Sequence, residues 1–293
     1  MRLFLPAVML LALSAGCERT AHIRINARDY EIESYPRGLA GGEGAKLTKS
    51  AAARFEELSD QFFGDAGLIA RLNRERSLKA DGDGLEMLRA ALALQQETAG
   101  RWSPAAGGRF ADDDTLRQSL SIGGDGTARL APGATLQLDE FARGWAIDAA
   151  ADVMISGGVP AGKIASGNLS RFWGEPTRGD PWEFAAGKHD GDHPAFRYRP
   201  PPGGLFRLDW PGAQVALREE TWPDGLSALA VWGRSAAAAA ALAACAVQNG
   251  AEEAVNWFSL AESRGLFLVY PDTSGILAES DRNFSGWLMT EAE

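Results

Sequence analysis

The sequence predicts an α+β fold, a single mixed domain that follows an N-terminal export segment. Helical and strand-like stretches interleave without a regular βαβ beat, which separates the chain from the doubly wound sheets. The 293 residues are 45% hydrophobic and 23% charged, an ordinary globular composition with enough chain for a full core. No internal repeat and no long linker divides it. With 29 Lys+Arg against 39 Asp+Glu the net charge is -10, which argues against a nucleic-acid partner, since that would need a basic face. The only cysteines are Cys17 and Cys245, so a disulfide framework is excluded.

The first element is an address. Met1-Arg2 gives a positive start, Leu3 to Ala15 is an apolar run holding Pro6, and Gly16-Cys17 closes it. A helix of that length reaches about 20 Å, short of the ~30 Å hydrocarbon core, so an export signal fits better than a membrane span. Leu13-Ser14-Ala15-Gly16-Cys17 resembles a bacterial lipobox, with Ser14 where Leu is usual. Residues 1–16 then read as a lipoprotein signal peptide and residues 17–293 as the domain. Cys17 is the expected lipidation site, and its acyl chains would tether the protein to a membrane facing the bacterial periplasm. The alternative is a plain secretory signal with an incidental cysteine. Cys245, set among alanines, reads as a buried thiol.

The remaining elements follow in chain order. Residues 18–34 alternate in part, with Ile23, Ile25, Tyr30 and Ile32 apolar, so one or two early strands are expected. Gly38 to Gly44 reads as a flexible break. Phe55, Leu58 and Phe62 recur at helical spacing, with Ser50 as the expected N-cap. Gly64-Asp65-Ala66-Gly67 interrupts that helix. A second helix runs from about Gly84 to Thr98 on Leu85, Leu88 and Leu92, with Gly100 as its stop. From Leu116 to Leu138 short apolar runs flank glycine-rich turns, the pattern of hairpin-joined strands. Phe141, Trp145 and Ala149 mark a third helix ending at Gly157-Gly158. Ile164 to Leu217 returns to strands and loops, irregular around Pro194 and Pro200-Pro201-Pro202. Ser235 to Gln248 is an alanine-rich fourth helix stopped by Asn249-Gly250, and Glu252 to Ala261 is a fifth. Leu266 to Tyr270 reads as a buried strand, and Pro271 to Gly275 as a turn.

Three stretches carry candidate chemistry. Gly123-Gly124-Asp125-Gly126 has backbone N–H groups that suit a phosphate, but its strand-like flanks favour a hairpin turn. His189 and His193 sit with Asp190 and Asp192 in a stretch holding Gly191 and Pro194; this favours a solvated turn over a metal site. The third stretch, Leu136 to Gly158, is the most informative. A strand ends, a turn holds Asp139 and Glu140, and a helix begins. Free N–H groups at a helix start suit a phosphate or carboxylate, Arg143 adds a cation, and Gly144 allows close backbone approach. Asp148 lies one turn later on the same face. Periodicity alone leaves open an amphipathic helix with a merely wet polar face.

This last stretch resembles the signature of the FAD:protein FMN transferase family, the ApbE-like flavin transferases. Their run Asp-Leu-Gly-Gly-Ile-Ala-Lys-Gly-Tyr-Ala-Val-Asp aligns without a gap on Gln137 to Asp148. Other landmarks follow in the family's order. Ala70-Arg71-Leu72-Asn73-Arg74 is similar to its Ser-Arg-Leu-Asn element, and Thr98 to Pro104 to its Ser-Gly-Gly-Ala-Phe-Asp-Pro. Ser166-Gly167-Asn168-Leu169 is similar to its Gly-Gly-Asp/Asn-Ile, and Ala240 to Glu253 to its Asp-Ala-Leu-Ala-Thr-Ala through Gly-Pro-Glu-Glu. The likeness covers roughly residues 22–275 and implies an ApbE-like, T-fold-related domain.

The resemblance implies FAD and Mg²⁺ as cofactors. It implies transfer of FMN to a Thr or Ser of an exported or membrane flavoprotein, a phosphoryl-type reaction in which a metal offsets phosphate charge. By position, Asn73 and Asn168 would contact FAD or order its loop. Arg143, Gly144, Asp148 and Gly167 would line the nucleotide cleft, and the Ala142 backbone carbonyl would be a metal ligand. Several positions depart from the family. Its metal-holding Asp and Thr correspond to Ala240 and Ala244, and a methyl group cannot ligate Mg²⁺. Gln137 replaces the opening Asp, and Arg143 replaces the Lys. The Met-Gly-Thr element is missing, Arg218 to Gly225 has no likeness to the His-Ile-Ile-Asp-Pro element, and no His follows His193. Two readings result. One is an active FMN transferase. The other is a catalytically inactive relative that binds flavin or a partner protein and assists maturation of a periplasmic redox enzyme.

Overall fold

Eight strands hydrogen-bond into one antiparallel sheet, and the longest helices lie together on one of its faces. The computed structural model describes residues 22–40, 42–105, 119–177, 179–186, 196–209, 228–249, 251–272 and 275–289. The main sheet takes strands β1 (Ile23–Asn26), β2 (Glu31–Tyr35), β6 (Ala161–Ser166), β7 (Leu169–Trp173), β10 (Gly203–Asp209), β11 (Ala228–Gly233), β12 (Arg264–Asp272) and β13 (Gly275–Ser280), in that spatial order. Every neighbouring pair is antiparallel. A three-stranded sheet joins β3 (Ser77–Lys79), β4 (Leu120–Ile122) and β5 (Thr127–Leu130), and a small ribbon joins β8 (Phe184–Ala186) and β9 (Phe196–Tyr198).

The helices are α1 (Glu43–Phe62), α2 (Leu68–Glu75), α3 (Gly82–Glu97), α4 (Asp139–Ser156), α5 (Ala236–Asn249), α6 (Ala251–Phe258) and α7 (Arg282–Ser285). Helix α4 is the hub. It packs between α1 and α5 and rests on β6 and β7. Its buried positions, among them Phe141, Ala142, Ala146, Ile147, Ala150 and Met154, go nearly all round the helix, as expected of a central helix. The opposite face of the sheet carries a separate aromatic core of Phe172, Phe184, Tyr198, Phe267 and Phe284, closed by the β8–β9 ribbon and α7.

The α+β class and the single mixed domain stand as predicted, with differences in detail. Helix α1 begins at Glu43, about two turns before the expected Ser50 cap. Gly38 to Gly44 is therefore only partly a break. A Cβ at Gly44 would fall 2.4 Å from Pro36 Cβ, so this glycine allows the helix to start against β2. Buried Thr48 reinforces the first turns by donating to the Gly44 carbonyl at 2.7 Å and pairing with Ser34 at 2.9 Å. Helix α2 covers a stretch with no helix expected, and the buried stripe of α3 is Met87, Leu88, Ala91 and Gln95 rather than Leu85, Leu88 and Leu92. Strand β12 runs through Pro271 to Asp272, shortening the expected turn. Gly123 to Gly126 is the turn of the β4–β5 hairpin, where Asp125 accepts from the Thr127 N–H at 3.0 Å. Cys17 and the signal segment, His189, His193 and Arg218 to Gly225 lie outside the described residues.

Candidate functional site

The turn into α4 is held by the segments that the sequence singled out. Asn73, on α2, takes the Leu136 N–H at 2.7 Å and donates to the Leu136 carbonyl at 3.1 Å. Arg76, which closes α2 with φ 63°, donates to the Ala131 and Ala134 carbonyls. The Gln137 N–H donates to the Pro104 carbonyl at 3.0 Å, and Trp102 packs on Phe141 with ring centroids 5.1 Å apart. Asn73, Trp102 to Pro104 and the α4 turn, distant in sequence, thus meet at one place. Asn73 orders this loop and is not among the residues lining the cleft described next.

Beside that turn lies a cleft of about 870 Å³. Its walls are the β1–β2 turn, the end of α1, Arg143 of α4, and Ser166-Gly167 at the β6–β7 turn. A Cβ at Gly167 would stand 3.5 Å from Arg143 Nη1, so the two segments face each other. Gly167 has φ +56° and opens a two-residue hairpin closed by the Ser166–Leu169 pair, the position where glycine is favoured. Asn168 follows; its carbonyl accepts from Arg207 N at 2.8 Å, and it does not line the cleft. Arg143 pairs with Glu140 at 2.8 Å. Burial raises the Glu140 pKa, against the pull of Arg143. Arg28, Tyr30, Ser59 and Phe63 also line the cleft. They were not singled out in the sequence, because nothing in the spacing of a strand turn or a helix end marks them.

The second half of the signature faces elsewhere. A Cβ on Gly144 would lie 2.5 Å from Ala237 N, so this glycine permits α4 and α5 to cross in contact rather than a ligand to approach. Asp148 accepts from Ala236 N at 2.8 Å and Ala237 N at 3.0 Å, with Arg171 at 3.9 Å. It caps α5 from a neighbouring helix and is not among the cleft residues. Burial raises its pKa to about 6, and the two N–H bonds and Arg171 hold it from rising further.

The oxygen set for Mg²⁺ does not fit. Ala142 is fully buried in the first turn of α4, Ala240 is 4% exposed on α5, and Ala244 lies one turn after it. Among the described residues, no group of three or more His, Cys, Asp or Glu could hold a metal ion. The methyl groups at 240 and 244 supply no ligand.

The architecture is that of a flavin transferase. It matches the flavin transferase ApbE from Vibrio cholerae at TM-score 0.71 and 18% identity, covering 91% of this chain and 98% of that one. The apbe protein of Thermotoga maritima matches at TM-score 0.71 and 15% identity, over 92% and 99% of the two chains. The apo form of the Pseudomonas stutzeri flavinyl transferase ApbE matches at TM-score 0.71 and 18% identity, over 88% and 92%. The sequence model of the ApbE family matches residues 20–197, and the chain belongs to that family. No curated protein matches it.

Proposed function

We propose that this protein binds a flavin nucleotide, FAD by family kinship, in the cleft between Arg143 and Ser166-Gly167, and does so without the family's metal. One observation carries the reading: the cleft survives while both metal-ligand side chains are methyl groups. Arg28 and Arg143 supply cationic donors for the phosphates, and Tyr30, Phe55 and Phe63 supply aromatic surface for a ring. Transfer of FMN would break the FAD pyrophosphate bond and demand stabilisation of the departing AMP phosphate, a role these residues leave without a metal. The function is then that of a non-transferring relative that carries flavin, or holds a partner flavoprotein, during maturation of a periplasmic redox enzyme.

The test is to mix purified protein with FAD, Mg²⁺ and a flavoprotein acceptor carrying an exposed Thr or Ser. The proposal expects protein-bound FAD after gel filtration and no AMP. AMP release with FMN covalently attached to the acceptor would establish a transferase instead. We also propose lipidation at Cys17 with anchoring at a membrane facing the periplasm. Among the described residues no helix is long and apolar enough to cross a membrane. Cys17→Ala should move the protein from the membrane to the soluble exported fraction, and unchanged membrane association would count against the anchor.

A further inference from the structure

A second cavity, of about 390 Å³, lies on the other side of α4, where α3 and α5 approach it. Its floor is apolar, formed by Leu94, Phe141, Trp145 and Leu242. Glu97, Thr98, Arg234, Ser235, Ser263 and Arg264 line its polar side. Arg264 is only 9% exposed. Its guanidinium lies 3.7 Å from the Trp257 ring centroid, and Nη2 donates to the Trp257 carbonyl at 2.7 Å. Its Nε is buried without a hydrogen-bond partner. Asp281 and Glu97 act on it only through space: the Asp281 carboxylate is taken up by the N–H groups of Leu266, Asn283 and Phe284, and Glu97 is an exposed carboxylate on the cavity wall. Burial is the main force holding the Arg264 pKa below its usual value.

A desolvated guanidinium with an unfilled donor is costly unless an anion pairs with it. We infer that this cavity is a binding site for a small organic oxyanion with a planar apolar body, separate from the flavin cleft. The carboxylate or phosphate head meets Arg264 and Arg234, whose forked donors suit it. The body lies against Trp145 and Phe141, where an aromatic face adds stacking to area burial. Free inorganic phosphate would leave that apolar floor uncovered and bind more weakly.

The experiment is calorimetric titration of the purified protein with phenyl phosphate and with benzoate, alone and after saturation with FAD. Saturable binding of at least one probe is expected, undiminished by FAD. Arg234→Ala, at an exposed position, should weaken it about tenfold or more, the loss of a charge-assisted contact. Ala93→Glu sets a carboxylate at the exposed rim of the same cavity and should abolish it. Circular dichroism of both variants should match the parent, since neither side chain is buried. The inference is overturned if neither probe binds saturably, if both variants bind like the parent, or if FAD competes.

Discussion

Residues 136–143 and residues 144–148 form one continuous stretch, yet they face different parts of the molecule. The first group turns the chain into α4 and puts Arg143 on the flavin-sized cleft. The second packs against α5, with Gly144 under Ala237 and Asp148 capping Ala236 and Ala237. A helix rotates about 100° per residue, so neighbouring letters of a linear motif need not share a task. A divergent relative can then keep the packing half because folding requires it, whatever happens to the chemistry.

Substitutions should separate the halves by stability, beginning with the largest effect. Gly144→Val forces side-chain atoms into the backbone of α5 and should cost about 3 kcal/mol or more, read as a large drop in the denaturant midpoint. A small loss would mean that the two helices are not in contact there. Asp148→Ala leaves two helix-start N–H groups without their acceptor and should cost roughly 3 kcal/mol. Asn73→Ala loses both bonds to Leu136 and should cost about 1–2 kcal/mol, with faster hydrogen exchange at Leu136. Arg143→Ala should change stability by less than about 1 kcal/mol, because its ion pair with Glu140 keeps 34% and 32% of the two side chains in solvent. It should instead weaken flavin binding about tenfold or more.

Asp148 also predicts a pH dependence. Burial raises its folded-state pKa from 3.8 to about 6, so the folded protein binds this proton more tightly than the unfolded chain. The group's contribution is most favourable below about pH 4 and is lost as pH rises through 6, by roughly 3 kcal/mol at most. The stability difference between the parent and Asp148→Asn should therefore shift against the parent across that window. A difference that is flat or moves the other way would contradict the buried setting of the carboxylate.

Much of this architecture was legible in the sequence, and the gaps have physical causes. The helix over 139–156 follows from Phe141, Trp145 and the Gly157 stop. The return to strands from Ile164 was legible as well, whereas Gly167-Asn168 was marked only by its likeness to the family's Gly-Gly-Asp/Asn-Ile element. The start of α1 was hidden because Gly42 and Gly44 look like a break until Pro36 is seen packed on Gly44. The separate roles of Gly144 and Asp148 depend on α5, nearly ninety residues later, which periodicity within α4 cannot show. Arg28 and Ser59 reach the cleft only because α1 packs on β1 and β2, and β2 pairs with β6.

The central claim is that the Arg143 cleft binds a flavin nucleotide with no metal. Equilibrium titration of FAD into the parent and into Arg143→Ala, each with excess Mg²⁺ and with EDTA, tests it most directly. The account predicts saturable binding by the parent that EDTA leaves unchanged, and at least tenfold weaker binding by the variant. Binding that vanishes in EDTA, or that is indifferent to Arg143, would contradict it.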